Sequence, residues 1–463
     1  MERRVAVILA AGQGKRMRSA LPKVMHPLLG LPMLEYGVRA AEGAGADLIL
    51  VVVPPAGEAI QSYLGDRCTY VVQPEPRGTG DALRQVEPLV PRDAVLWVMY
   101  GDMPRLGPEQ LQGVFGEHRR ARAAATLTSM EPADPDGYGR IVRSAQGDFL
   151  RIVEEADADE ATRAIREVNA GLYVFEAEPL FAALRRVEPR NAQGEYYLVD
   201  ALPKIREAGG RVAVWRAGRR EEFEGVNDRS QLAEAEAWLR RRIVARWMAE
   251  GVTIVDPEST WIGPDVEIGA DARVEPMSWL LGRSRVAAGA RVGPGAYLVD
   301  SEVGEGARVL FSVVESSRIG RGASVGPFSH LRPGVELGEA ALVGNFAEVK
   351  NSRVGAGTKI HHHSYIGDAD LGAGVNIGAG VVTVNYDGQR KHRTEIGDGA
   401  FIGCNANLIA PLSIGERAYV AAGSTLDRDV PAWALAIARE RQTNKAEWVR
   451  RRQERTGSEG EER

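Results

Sequence analysis

The amino-acid sequence predicts an α/β domain of alternating strands and helices followed by a parallel β-helix. Three observations predict it. Short apolar runs separated by helical segments fill the first half, a long striped helix lies near the middle, and after Gly251 the apolar period becomes six residues.

Arg4 to Ala10 forms the first apolar run and leads into a glycine turn at Gly12 to Gly14. Pro32 is placed to open a helix carrying Met33, Leu34, Tyr36, Gly37 and Ala40. Asp47 to Val53 and Ala94 to Met99 are too uniformly apolar for a sheet with one wet face. Such runs belong to a largely parallel sheet covered on both sides. Ala123 to Met130, Gly171 to Phe175 and Arg211 to Trp215 continue that core, which ends near Arg229. Leu232, Ala235, Trp238, Leu239, Ile243, Val244 and Trp247 then stripe one helix. Asp228 or Ser230 can cap it, and Gly251 stops it.

Beyond Gly251, aliphatic-glycine pairs recur: Ile262-Gly263, Ile268-Gly269, Val292-Gly293, Val303-Gly304, Ile319-Gly320 and Val325-Gly326. They resume at Val354-Gly355, Ile366-Gly367, Leu371-Gly372, Ile377-Gly378, Ile396-Gly397, Ile402-Gly403 and Ile414-Gly415. An aliphatic residue at every sixth position fills the interior of a triangular prism, and the glycine beside it is expected to accommodate the corner turn. The polar stretch Asn385 to Thr394 breaks this register and should loop out, where site-building elements lie. Four segments result: a domain over 1–229, a linking helix over 230–250, a β-helix over 251–437 and a tail over 438–463. The tail after Arg439 has no period, and its last dozen residues are expected to fray.

Composition narrows the function. A net charge of -5 gives no global basic footprint for nucleic acid. No apolar run reaches the ~18 residues of a membrane span, and the N-terminus lacks a secretory h-region. Cys68 and Cys404 are the only cysteines, too few for a disulfide scaffold or a cysteine metal site. The expected compartment is the cytoplasm. Arginine supplies nearly all the positive charge, so the rare lysines, among them Lys15, Lys23, Lys350 and Lys391, are candidate point charges for ligands.

Leu9 through Met17 follows the first strand with small residues, then Lys15 and Arg16. Backbone N–H groups in such a turn can hold oxyanions. The spacing is neither a dinucleotide fingerprint nor a Walker A loop. Gln73 to Gly80 offers an amide and a second glycine turn, at Gly78-Thr79-Gly80, for reading a base. Tyr100-Gly101-Asp102 ends a strand, where the ligand crevice of such folds lies. Asp102 is a candidate ligand for Mg²⁺, and Asn227 can return an oxygen to the same ion. In the second half, Arg332, Lys350 and Lys391 can converge on a phosphate. Glu348 and His362 form a carboxylate–imidazole pair suited to taking a proton from an amine. Tyr365 and Asn376 are candidate sugar or carbonyl contacts. His361, His362 and His363 are adjacent and must diverge, so no metal cluster is expected there.

These residues resemble known enzymes. Gly12 to Met17, Lys23, the Gly78 turn and Asp102 look like the sugar-1-phosphate nucleotidyltransferases. Gly137-Tyr138-Gly139-Arg140, Glu154, Asn169 and Gly194-Glu195-Tyr196-Tyr197 sharpen the match to the uridylyltransferase half of the bacterial bifunctional enzymes that make UDP-N-acetylglucosamine. The resemblance implies a Rossmann-like nucleotidyltransferase domain. In it Ala11, Gly12, Gln73, Gly78 and Thr79, with Tyr100 and Gly101 nearby, contact the uridine nucleotide. Gly139, Glu154 and Asn169 contact the sugar, Lys23 and Arg16 neutralise phosphate charge, and Asp102 and Asn227 hold magnesium.

Leu331-Arg332-Pro333-Gly334, Gly344 to Lys350, Tyr365 to Asp368, Asn376 to Gly380 and Asn385 to Gly388 are similar to the acetyltransferase half of the same enzymes. That implies a left-handed β-helix of hexapeptide repeats, with His362 as general base supported by Glu348. Arg332, Lys350, Tyr365, Asn376 and Lys391 would bind glucosamine 1-phosphate. Ala379, Asn385, Tyr386, Cys404, Ala422 and Arg439 would line acetyl-CoA. It further implies a homotrimer through the β-helix, acetylation followed by uridylyl transfer from UTP, and supply of peptidoglycan and lipopolysaccharide-type envelope synthesis. This sequence departs from the family at Asp81 (usually histidine), Glu155 and Ala156 (a more basic pair), Ala170 (threonine), His361 (glycine) and Cys404 (serine). The alternative is a monofunctional nucleotidyltransferase whose β-helix only trimerises.

Overall fold

A computed structural model describes residues 3–12 and 14–458, so residues 1–2, Gln13 and residues 459–463 lie outside the described residues. The chain divides into two compact units, Met1–Ile243 and Val244–Arg463.

The first unit is built on one sheet. Its strands are β1 (Arg4–Leu9), β2 (Leu48–Val53), β3 (Thr69–Val72), β4 (Val95–Tyr100), β5 (Ala125–Met130), β6 (Arg140–Arg143), β7 (Phe149–Val153), β8 (Val168–Glu176) and β9 (Val212–Arg216). The order along the sheet is β9-β5-β8-β4-β1-β2-β3, with the β6–β7 pair attached to β8. Strands β1 to β4 are mutually parallel, and β9 runs parallel to β5. Strand β8 is antiparallel to both β4 and β5, the one reversed strand in an otherwise parallel seven-strand order, so the sheet is largely parallel as expected. Uniform apolarity reports cover on both faces and carries no information on strand direction. The buried side chains of Trp97, Tyr173 and Phe175 show how complete that cover is.

Helix α1 (Met33–Ala44) follows Pro32 as expected, and α2 (Thr79–Arg84) follows the second glycine turn. The chain leaves β1 toward β2 and β3, then returns to β4 on the other side of β1. That reversal opens a crevice at the carboxyl ends of β1 and β4. Helix α3 (Arg229–Ala249) is capped by Asp228, whose Oδ1 accepts from the Gln231 N–H at 2.9 Å. Gly251 ends it in a left-handed conformation at φ 90°.

The second unit is a three-faced parallel β-helix whose faces carry 11, 10 and 9 short strands. Every aliphatic member of the repeated pairs is buried, from Ile262 to Ile414. The glycines beside them act differently from the expectation. Among those pairs only Gly293 and Gly326 have positive φ. The others sit against the next coil. A Cβ at Gly355 would lie 2.3 Å from Gly372 C, and one at Gly403 would lie 2.5 Å from Ala422 N. Glycine is required there for coil spacing, while the corner turn itself falls two residues later, at Gly306, Gly322, Gly357, Gly374 and Gly399.

The shortest face carries an outward column in which charge alternates: Glu267, Arg285, Glu302, Arg318, Glu336, Arg353 and Asp370 are successive register partners. Opposite charges directly across a ladder favour this register over one that juxtaposes like charges. Part of the tail is described, and residues 459–463 of its last dozen lie outside the described residues. Trp448–Ser458 forms helix α4 despite its lack of an apolar period. Its arginine- and glutamate-rich composition has adequate helix propensity of its own, supported by an Arg450–Glu447 pair at 3.2 Å.

Candidate active sites

A cleft of about 590 Å³ opens where β1 and β4 end. Ala11, Gly12, Lys15, Arg16, Lys23, Gln73, Gly78, Thr79, Tyr100, Asp102 and Asn227 all line it. Two glycines permit the walls to meet. At Gly14 (φ 56°) a Cβ would lie 2.6 Å from Lys23 Cβ, and at Gly78 (φ 106°) 2.6 Å from Tyr196 O. Gly101 joins the strand ends instead of lining the cleft, its N–H donating to Leu9 O at 2.9 Å. Lys23 Nζ donates to Asp102 Oδ2 and, at 3.1 Å, to Asn227 Oδ1. Asn227 is held by its own N–H on Gln231 Oε1 at 2.7 Å, and Val226 N–H donates to Asp102 O at 2.9 Å. A carboxylate and an amide oxygen thus converge on one positive charge. Few protein oxygens beside a phosphate cleft suit Mg²⁺, which keeps several waters and phosphate ligands.

Gly139, Glu154 and Asn169 form a second cluster. Asn169 N–H donates to Gly139 O at 2.8 Å, and a Cβ at Gly139 would lie 3.1 Å from Glu154 Oε1. The Asn169 side chain is engaged inside the protein, donating to Tyr173 Oη at 2.6 Å and accepting from Gly171 N–H at 3.3 Å. Burial, with the charges of Asp200 and Asp157, raises the Glu154 carboxyl to about 7.

In the β-helix, register decides which residues meet. Val343, Ile360, Ile377, Ile402 and Val420 are successive partners on one face. Two positions further along each coil stand Asn345, His362, Ala379, Cys404 and Ala422, so these form one column along a prism edge. The imidazole heads a run of small side chains. His362 Nδ1 lies 2.5 Å from Asn345 Oδ1. An oxygen there places the proton on Nδ1 and leaves the Nε2 lone pair free.

Within one chain Glu348 is not paired with the imidazole. Its Oε1 accepts from Arg332 at 2.9 Å, which corrects the expected Glu348–His362 pairing. Glu348 projects from the face between His330 and Tyr365 in register, whereas His362 sits at the edge beside Asn345. Arg332 and Lys350 occupy the column two residues beyond His330 and Glu348. The loop between Val384 and Thr394 brings Lys391 to Lys350, and a hydrogen bond from Lys350 to the neutral Lys391 amine, with repulsion between the two charged forms, holds Lys391 below the usual lysine value. Two adjacent cations with a tyrosine, Tyr365, beneath them are a ready anion site.

Other expected residues are placed differently. Asn376 lies in register between Lys359 and Phe401 on a different face from Lys350 and Tyr365, so one chain does not bring it to the lysine pair. Motif order cannot say which face a residue occupies. Asn385 turns inward, donating to Asp368 Oδ2 at 2.5 Å, and so anchors the loop. Asp368 also accepts from Asn351 Nδ2 at 2.6 Å. Tyr386 is exposed, with its hydroxyl donating to Gly388 O at 2.7 Å. Arg439 is exposed beyond the last strand pair. Two contributors carry no assigned role in the sequence reading. Asn345 is discoverable by counting one coil, 17 residues, back from His362. Asp81 is noted there only as a departure, yet its Oδ2 accepts from Gln73 Nε2 at 2.9 Å.

No helix among the described residues is long and apolar enough to cross a membrane. The family described as MobA-like NTP transferase domain matches residues 6–250, and bacterial transferase hexapeptide (six repeats) matches residues 393–428. The bifunctional protein GlmU of Brevibacillus brevis is 48% identical over 445 residues, covering 96% of each chain. That of Halalkalibacterium halodurans is 47% identical over 450 residues, covering 97% of this chain and 99% of its own. That of Caldanaerobacter subterraneus is 45% identical over 452 residues, covering 98% and 99%. With 45–48% identity sustained over nearly the whole length of each chain, this chain belongs to the family of bifunctional GlmU proteins.

Proposed function

We propose that the chain acetylates glucosamine 1-phosphate with acetyl-CoA in its β-helix and then, in its N-terminal cleft, transfers uridylyl from UTP to N-acetylglucosamine 1-phosphate. The products of the second step are UDP-N-acetylglucosamine and pyrophosphate. The observation that carries this reading is the meeting of Lys23, Asp102 and Asn227 beside the glycine turn in one cleft. The residues of the second reaction lie in the other unit.

In uridylyl transfer a phosphate oxygen of the sugar attacks the α-phosphorus in line, and the bond to the β-phosphate oxygen breaks. The attacking phosphate is already an adequate nucleophile, so no protein base is required. Lys23 and Arg16 neutralise phosphate charge, and the cleft holds the two anions in alignment. Asp102 and Asn227 would hold Mg²⁺, which supplies further charge neutralisation on the triphosphate. In acetylation the sugar amine attacks the thioester carbonyl, His362 Nε2 takes the ammonium proton, and CoA thiolate departs and is protonated. Cys404 is not needed as a nucleophile, because direct attack needs no acyl-enzyme. Lys350, Lys391 and Arg332 bind the sugar phosphate, and the edge column of Ala379, Cys404 and Ala422 leaves room for the acyl carrier's arm.

The base and the lysine pair lie at different positions on an open prism surface. A homotrimer that closes each site with a neighbouring subunit fits this arrangement, and so does the exposed stack of Phe311, Phe328 and Phe346. Cytoplasmic residence fits the two co-substrates. The division of labour assigns residues 1–229 to uridylyl transfer, 230–250 to linkage and 251–437 to acetylation.

The test is to incubate purified protein with glucosamine 1-phosphate, acetyl-CoA, UTP and Mg²⁺, then omit each in turn. N-acetylation should require acetyl-CoA but not UTP. Pyrophosphate release should require UTP, Mg²⁺ and the acetylated sugar. A folded protein that releases pyrophosphate from supplied N-acetylglucosamine 1-phosphate but never acetylates would leave the monofunctional alternative.

A further inference from the structure

We propose that Asp81 sets which base the N-terminal cleft accepts, by fixing the direction of the Gln73 amide. This rests on the reading of that cleft as a nucleotide site. Gln73 lines the cleft and is only 5% exposed. Its Nε2 donates to Gly78 O at 3.1 Å and to Asp81 Oδ2 at 2.9 Å. An amide nitrogen carries two hydrogens, so both are engaged. Both partners are acceptors, and an ionised carboxylate cannot become a donor. Turning the amide over would set Oε1 against two other oxygens and leave buried acceptors unmatched, which is costly.

The remaining polar atom of Gln73 is Oε1. It has no hydrogen-bond partner among the described residues, and it is not one of their fully buried unsatisfied atoms. Gln73 therefore presents an acceptor, and only an acceptor, to a base in the cleft. Uracil and thymine answer it with the N3–H of their imide edge. Cytosine in the same pose has a lone pair at N3 facing the oxygen, and it could offer its N4 amine only by shifting along the edge. A site built around one hydrogen-bond polarity rejects the opposite polarity strongly. Histidine, the usual residue at this position by resemblance, can both donate and accept, so it does not impose the same single direction. Asp81 acts through Gln73 and is a positioning residue, not a catalytic one.

The test uses the full-length protein with Mg²⁺ and N-acetylglucosamine 1-phosphate, comparing kcat/KM for UTP and CTP. Asp81→Asn is close to isosteric, yet its amide can donate to a reversed Gln73. We expect the preference for UTP over CTP to fall roughly tenfold, the scale of one net hydrogen bond. The change should lie mainly in the nucleotide KM, with the KM for the sugar phosphate unmoved. In a Gln73→Ala background, where the preference should already be reduced, Asp81→Asn should add nothing. The proposal is overturned if folded Asp81→Asn keeps a preference within about twofold of the unaltered protein. It is equally overturned if the substitution has the same effect with and without Gln73. Unaltered protein that uses no pyrimidine triphosphate would bring down the nucleotide reading together with this one. Normal use of UTP with an indifferent Asp81→Asn would remove only the role of Asp81.

Discussion

The two halves of the molecule bring distant residues together by different routes. In the N-terminal sheet, Lys23 meets Asp102 and Asn227 across separations of 79 and 204 residues. They meet because parallel strands end at one edge of the sheet, and chain reversal leaves a crevice there. In the β-helix, Asn345 meets His362 across 17 residues because one coil has that length. The first route builds a concave pocket. The second builds columns on an outer surface, with an inserted loop beside them. A site in an α/β sheet is therefore written in topology, and a site on a solenoid in period.

If the two sites are separate, single substitutions should divide the activities. The largest effect is expected from His362→Ala, which should cut acetylation by roughly 10²- to 10⁴-fold and leave uridylyl transfer nearly intact. Asp102→Ala should do the reverse, and matching losses of both activities in each folded variant would break the comparison. Asn345→Ala should lower the acetylation rate by about 10- to 100-fold with little change in acetyl-CoA KM, since it disturbs only the direction of the base. Glu348→Gln should act mainly on the KM for glucosamine 1-phosphate, through Arg332. Kinetics showing Glu348→Gln, and not Asn345→Ala, altering the acid limb of the acetylation profile would reverse the assignment of the imidazole's partner.

Glu154 sharpens the comparison by pH, because its environment is buried whereas the β-helix site is exposed. Its folded carboxyl titrates near about 7, above an unfolded value of about 4.3. Between those values the folded protein binds a proton that the unfolded chain lacks. The resulting contribution to stability is full below that window and is lost as pH rises through it. Glu154→Gln should therefore raise the melting temperature more at pH 8 than at pH 5, as thermal melts at the two pH values would show. The smallest effect is expected on the charged column. Arg318→Ala removes an exposed pair at 2.9 Å and should leave the midpoint of denaturant unfolding nearly unchanged.

Much of this was legible in the sequence for a physical reason. The strands around Val7 and Val98 read as apolar runs because both faces of the sheet are covered, and the prism read as a six-residue period because an aliphatic side chain returns to its interior at every sixth position. Lys23, Asp102 and Asn227 could be named from residue chemistry and family likeness. The direction of β8 could not, since a fully covered strand looks the same either way round. The reason for glycine at Gly355 and Gly403 was also hidden, because the coil above is absent from any local reading.

The sequence by itself determined the two architectures, the register of the coils and the residue types at each site. Only the tertiary structure decided partners: Asn345 for His362, Arg332 for Glu348, Asp81 for Gln73 and Asp368 for Asn385. Spacing places a side chain on a face or an edge. Its hydrogen bonds are settled by competition among every donor and acceptor within reach, and that competition exists only once the chain has closed on itself.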